Sequence, residues 1–210
     1  MVGSLLLAAA LLLVGYNLVD EYRAGQTANH VLEILQQQMP ETPSDDLQMP
    51  ETPSDDLQTP ENSILEQTEI PDYVLNPDME MPTQEIEGND YIGVLEIPSL
   101  GLSLPVMSEW SYPRLKLAPC RYHGSAYTGS LTIAAHNYRT HFGPVRDVSA
   151  GTQVFFTDVK GRRFSYEVSA VETIEATAIE DAVSEAWDLT LITCTPSGQA
   201  RVAVRCIKID

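Results

Sequence analysis

The ten residues Met39-Pro40-Glu41-Thr42-Pro43-Ser44-Asp45-Asp46-Leu47-Gln48 recur unchanged at 49–58, and Thr59-Pro60-Glu61 begins a third copy that decays. Each copy holds two prolines and three acids but only one Met and one Leu. Such a stretch buries too little apolar surface to offset the entropy of ordering it. A ten-residue period is also too short for the helical solenoid repeats. Residues 39–88 are therefore expected to form a disordered, acidic, Pro-rich linker, and folding is left to the chain on either side.

Charge is divided in the same way. Residues 1–90 carry 18 Asp/Glu and one basic residue, Arg23, whereas residues 91–210 carry 12 Asp/Glu and 11 Lys/Arg. Nearly all of the net charge of −18 thus lies in the first part. Neither part has the cationic excess that phosphate contacts need, so a nucleic-acid binder is excluded.

Val2 to Val19 is an uncharged run of 18 residues rich in Leu and Ala. As a helix it would span about 27 Å, close to the apolar thickness of a bilayer. No Lys or Arg precedes it and no A-x-A pattern follows, so a retained anchor is expected rather than a cleaved signal peptide. Residues 1–22 are read as a transmembrane anchor and 23–38 as a juxtamembrane helix, in which Val31, Leu32 and Leu35 recur at helical spacing. That helix is read as a solvated stalk. The acidic arm beyond it is expected to space the folded domain from an anionic membrane surface.

Residues 89–210 read differently. Leu100, Leu102, Leu104 and Val106 alternate with small or polar residues, as do Leu131, Ile133 and Ala135. Val154–Thr157, Phe164–Ala170, Leu189–Thr193 and Arg201–Ile209 are further strand-like runs. Helical patterning is confined to short stretches near Trp110–Leu117 and Ile179–Trp187. Many short strands in some 120 residues point to a mainly β fold, a small closed β-barrel with short helices.

The three cysteines, Cys120, Cys194 and Cys206, form no close pair, which argues against a disulfide framework and a Cys-rich zinc site. Cys194 ends a strand, Thr195-Pro196-Ser197-Gly198 turns, and a new strand starts near Arg201. A hairpin return would place Arg201 beside Cys194, with Arg205 about 13 Å further along. A cysteine nucleophile needs its thiolate form, a proton donor and an oxyanion partner. Of the four histidines, His136 best fits the donor, because it ends the Leu131–Ala135 strand. Taken alone, a Cys or a His at a strand end is more often structural. Cys120 and Cys206 are read as buried thiols, and no metal or cofactor is assigned.

Together these residues carry a resemblance. Thr190-Leu191-Ile192-Thr193-Cys194 followed by Arg201 resembles the Thr-Leu-x-Thr-Cys…Arg signature of sortases. Ile133-Ala134-Ala135-His136-Asn137 is similar to the sortase strand that ends in the catalytic His. His141-Phe142-Gly143, Val145-Arg146-Asp147 and Tyr91–Pro98 resemble further family segments, in order and spacing, over residues 91–210. The resemblance implies an eight-stranded sortase-like barrel and a membrane-anchored cysteine transpeptidase on the outer face of a Gram-positive cell. It would cleave an LPxTG-like sorting signal. Cys194 would form a thioacyl intermediate, His136 would act as general acid and base, and Arg201 would stabilise the oxyanion. Thr193 and Thr195 would contact substrate. The acyl acceptor would be an amine, on a lipid-linked peptidoglycan precursor or a pilin lysine. Thr195-Pro196 resembles the pilus-building class and His136-Asn137 a different one, so the subclass stays open. A thiol hydrolase using water, or a non-catalytic wall-peptide-binding barrel, is the alternative.

Overall fold

A computed structural model describes residues 2–40 and 70–209. It opens with one helix, α1 (Val2–Gln38), followed by a one-turn helix, α2 (Asp72–Leu75). Three strands come next, β1 (Gln84–Ile86), β2 (Asn89–Ile97) and β3 (Leu102–Met107). A short helix α3 (Tyr112–Leu115) leads to β4 (Cys120–His123) and β5 (Leu131–Ala134). Then follow β6 (Gln153–Asp158), β7 (Arg163–Glu175), the one-turn α4 (Ile179–Ala182), β8 (Leu189–Cys194) and β9 (Ala200–Lys208).

The strands form one sheet in the order β1-β2-β3-β4-β5-β8-β9-β7-β6, and β6 pairs back onto β2. The sheet therefore closes into an eight-stranded barrel, with β1 a short antiparallel partner on the start of β2. Closure brings Gly93 opposite Asp158. A Cβ at residue 93 would stand 2.1 Å from the Thr157 carbonyl oxygen, so the seam requires glycine. The expected alternation holds along the strands. Leu131, Ile133, Leu189, Leu191, Val202, Val204 and Cys206 all point into the barrel core.

Three expectations change. The segment 23–38 is not a solvated stalk. It continues α1 without a break, and Ala24, Ala28, Val31 and Leu35, at helical spacing, are each at most 2 % exposed against the barrel. Val31 and Leu35 alone stabilise this docking by about 1.5–3 kcal/mol each. The linker boundary at 88 is also too late. Met81 and Ile86 are buried, Tyr73 stacks on Tyr127 with ring centroids 4.8 Å apart, and 84–86 is a strand. The decamer repeat itself, from residue 41, lies outside the described residues. Because the chain is seated on the barrel at Met39, the first residue of the first copy, and again from Tyr73, the repeat does not set the distance between barrel and α1.

Among the described residues, no helix is long and apolar enough to cross a membrane. The expected span includes positions 2 and 5, whose side chains lie outside the described set. In the first half of α1, Leu6, Leu7, Leu11, Leu12, Leu13 and Val14 are each more than half exposed.

Candidate active site

Strand register places the three expected residues together. β8 and β9 are antiparallel, and Cys194 lies directly opposite Arg201. β5 and β8 are parallel, with Ala134 opposite Ile192. Beyond the end of β5 the match is carried on by three hydrogen bonds. Ala135 N–H donates to the Ile192 carbonyl at 3.0 Å, and Thr193 Oγ1 donates to the Ala135 carbonyl at 3.0 Å. Asn137 Nδ2 donates to the Thr195 carbonyl at 3.3 Å. Residues 135 and 137 are thus tied to 193 and 195, and His136 is fixed at the level of Cys194.

All three residues line one cleft of about 400 Å³. Its floor is Ala134–His136, Ile192–Cys194 and Arg201. One wall is aromatic, with Trp110 ringed by Tyr112 at 5.1 Å and Tyr122 at 5.6 Å. The other wall is the end of β7 and the segment through α4, from Ile174 to Ala182. This largely apolar trough, with a few polar groups at its floor, suits an extended peptide.

The chemistry of the groups differs sharply from that of their neighbours. All three cysteines are free thiols. Burial pushes the Cys120 and Cys206 thiols up to about 12, which leaves them inert. Cys194 is half-buried and opens onto the cleft. Burial holds the His136 imidazole below its ordinary range. The nearby Lys116 ammonium acts in the same direction and the Asp20 carboxylate opposes it. His136 Nε2 is buried with no hydrogen-bond partner among the described residues. Among the described residues the Arg201 guanidinium donates only through Nη1, to the Ala200 carbonyl at 3.1 Å and the Gly198 carbonyl at 3.3 Å. Its remaining donors have no protein partner among the described residues.

The two threonines are placed differently from each other. Thr193 lines the cleft, but its hydroxyl is the one that bonds Ala135. Thr195 does not line the cleft. Its hydroxyl closes the β8–β9 turn, accepting from Ala200 N–H at 3.2 Å and lying 3.2 Å from Ser197 Oγ.

Sequence reasoning missed the aromatic wall, because β4 is only four residues long and Arg121-Tyr122-His123 does not alternate. It also missed Arg205, whose guanidinium holds the β7–β8 segment through the Asp181 carbonyl at 2.7 Å.

Comparison with known proteins agrees with this geometry. The family model described as a sortase domain matches residues 95–208. Among solved structures, sortase A from Corynebacterium diphtheriae matches with a TM-score of 0.52 and 25% identity, over 66% of this chain and 67% of that one. A sortase C1 from Streptococcus suis matches with a TM-score of 0.51 and 26% identity, over 57% and 73%. Sortase C from Clostridium perfringens SM101 matches with a TM-score of 0.50 and 25% identity, over 58% and 71%. No curated protein matches the chain.

Proposed function

The chain belongs to the sortase family, and we propose that it is a membrane-anchored cysteine transpeptidase with Cys194 as nucleophile. The observation that carries the assignment is the convergence of His136, Cys194 and Arg201 on one cleft. In this reading the Cys194 thiolate attacks the Thr carbonyl of an LPxTG-like sorting signal. The Thr–Gly bond breaks and a thioester forms at Sγ. His136 gives its proton to the leaving Gly amine. It then removes a proton from an incoming amine, which attacks the thioester and releases the Cys194 thiolate, so that the starting thiolate and protonated His136 are restored. The Arg201 donors not occupied by the turn stabilise the oxyanion in both steps. The acceptor is the amine of a lipid-linked peptidoglycan precursor or of a pilin lysine.

The first half of α1 supports the anchor. A helical rod of exposed leucines needs an apolar surrounding, and the uncharged run 2–19 matches the bilayer in length. The catalytic domain then lies outside the cell, in a single-pass protein. Because α1 docks on the barrel from residue 24, that placement puts the domain close against the membrane surface.

The test uses the full chain in detergent with a panel of sorting-signal peptides, with and without an amine acceptor. Ligation that needs the amine, a thioester adduct detectable by mass, and loss of both in Cys194→Ala are the expected results. Cleavage indifferent to every amine would assign a hydrolase instead. Binding without cleavage or adduct would leave a non-catalytic barrel.

A further inference from the structure

A base that serves a nucleophile is ordinarily oriented by a third group. His136 has none of the usual kind, since no carboxylate or carbonyl bonds its buried Nε2 among the described residues. What touches the ring is Tyr138, two residues on, with centroids 4.8 Å apart and planes 30° apart. His141, fully buried, backs Tyr138 on another side at 5.5 Å.

Tyr138 is in turn held from α1. Its hydroxyl donates to Asp20 Oδ2 at 2.9 Å. The two following residues are tied to the same helix turn. Arg139 N–H donates to Glu21 Oε1 at 2.7 Å, and Thr140 Oγ1 donates to the Glu21 carbonyl at 3.4 Å. Lys116, from the segment after α3, adds an ion pair to Asp20 at 3.6 Å. The approach depends on Gly25. A Cβ there would meet Thr140 Cγ2 at 2.8 Å and Thr140 Cβ at 3.1 Å, and a β-branched side chain has little room to yield. Three consecutive residues of the histidine loop are therefore fastened to α1, at the point where the uncharged run ends.

We propose that α1 is a working part of the catalytic site, with Asp20 and Tyr138 as positioning residues that orient His136. Asp20 fixes the Tyr138 ring, and the ring fixes the imidazole plane. The inference rests on the acid–base role assigned to His136 in the proposed reaction. It makes turnover depend on whether the anchor helix is docked.

The experiment uses the full chain in detergent and compares wild type with Asp20→Asn, Tyr138→Phe, the double variant, Tyr138→Leu and Gly25→Leu. Peptide turnover by wild type checks the transpeptidase reading itself. If wild type turns over no peptide, that reading fails, and the positioning claim is judged on the ring nitrogens of His136 followed by NMR. Asp20→Asn and Tyr138→Phe should each lower kcat about fivefold at constant KM, and the double variant should be no worse than either. Tyr138→Leu and Gly25→Leu should lower kcat about 30-fold and shift the His136 ring resonances. The charged and titratable groups around that ring are Asp20, Lys116, Tyr138 and His141. Losing the Asp20 carboxylate should move the His136 titration further down, because that carboxylate favours the protonated ring. A kcat within twofold of wild type in a folded Tyr138→Leu would overturn the proposal. So would multiplying effects of Asp20→Asn and Tyr138→Phe, or His136 resonances unmoved in all variants. Should Tyr138→Leu or Gly25→Leu fail to fold, the two milder single variants and their double decide the matter.

Discussion

Arg201 and Arg205 stand on one face of β9, four residues apart, and are used in opposite ways. Arg205 is 2 % exposed and all its nitrogens are occupied, by Glu172 at 3.0 Å, Thr190 at 3.3 Å and the Asp181 carbonyl at 2.7 Å. Arg201 is half-buried, donates among the described residues only to the Gly198 and Ala200 carbonyls, and faces the cleft. The histidines of one loop divide by position and not by bonding: His141 is sealed in the core beside Phe142 with neither ring nitrogen hydrogen-bonded among the described residues, while His136 lines the cleft. A guanidinium whose bonds are complete holds structure, whereas one with donors left over at a cavity is available to a ligand.

Four substitutions or conditions probe that division, in order of expected size. Arg201→Lys removes the planar fork and should cost at least about 100-fold in peptide turnover with the fold intact. Near-normal kinetics would take Arg201 out of the reaction. Arg205→Leu should act on stability instead, by about 3 kcal/mol, as the bonds to Asp181 and Thr190 go unmade and Glu172, half exposed, loses its partner. Denaturant unfolding measures it, and an unchanged midpoint would contradict the structural role. His141 supplies the third. Burial holds its imidazole at about 4, below the unfolded value near 6.5. Since the folded ring binds its proton less readily, its stabilisation is present above the unfolded value and lost as pH falls through that window. The loss from pH 7 to pH 5 should be about 2 kcal/mol. A His141→Asn variant with the same pH slope as wild type would contradict it. The smallest effect is that of Thr195→Val, about 1 kcal/mol from the opened turn, with KM for peptide within a factor of two. A large rise in KM would restore Thr195 as a substrate contact.

The barrel was legible because its strands alternate, and the Cys194–Arg201 pairing because a four-residue turn fixes a hairpin register. The meeting of His136 and Cys194 was not local. It depends on the parallel β5–β8 register across 58 residues, and only the family resemblance supplied it. β1 was hidden by a single apolar residue among acids, in a segment whose composition reads as linker. The docked face of α1 was hidden because Ala24 and Ala28, which let the helix approach closely, give almost no hydropathy signal. The two threonines were read from their position beside the nucleophile. Position did not reveal that strand ends and turns compete for their hydroxyls.

The described chain on either side of 41–69 is seated on the barrel, with Pro40 against Gly161 and Tyr73 stacked on Tyr127. For a chain segment closed at both ends, adding one more decamer raises the closure entropy by only about 0.3 kcal/mol. Purifying selection on folding would barely register such a change. Copy number of the repeat is therefore free to drift between strains unless some partner counts it, and a survey of natural repeat lengths would read out whether one does.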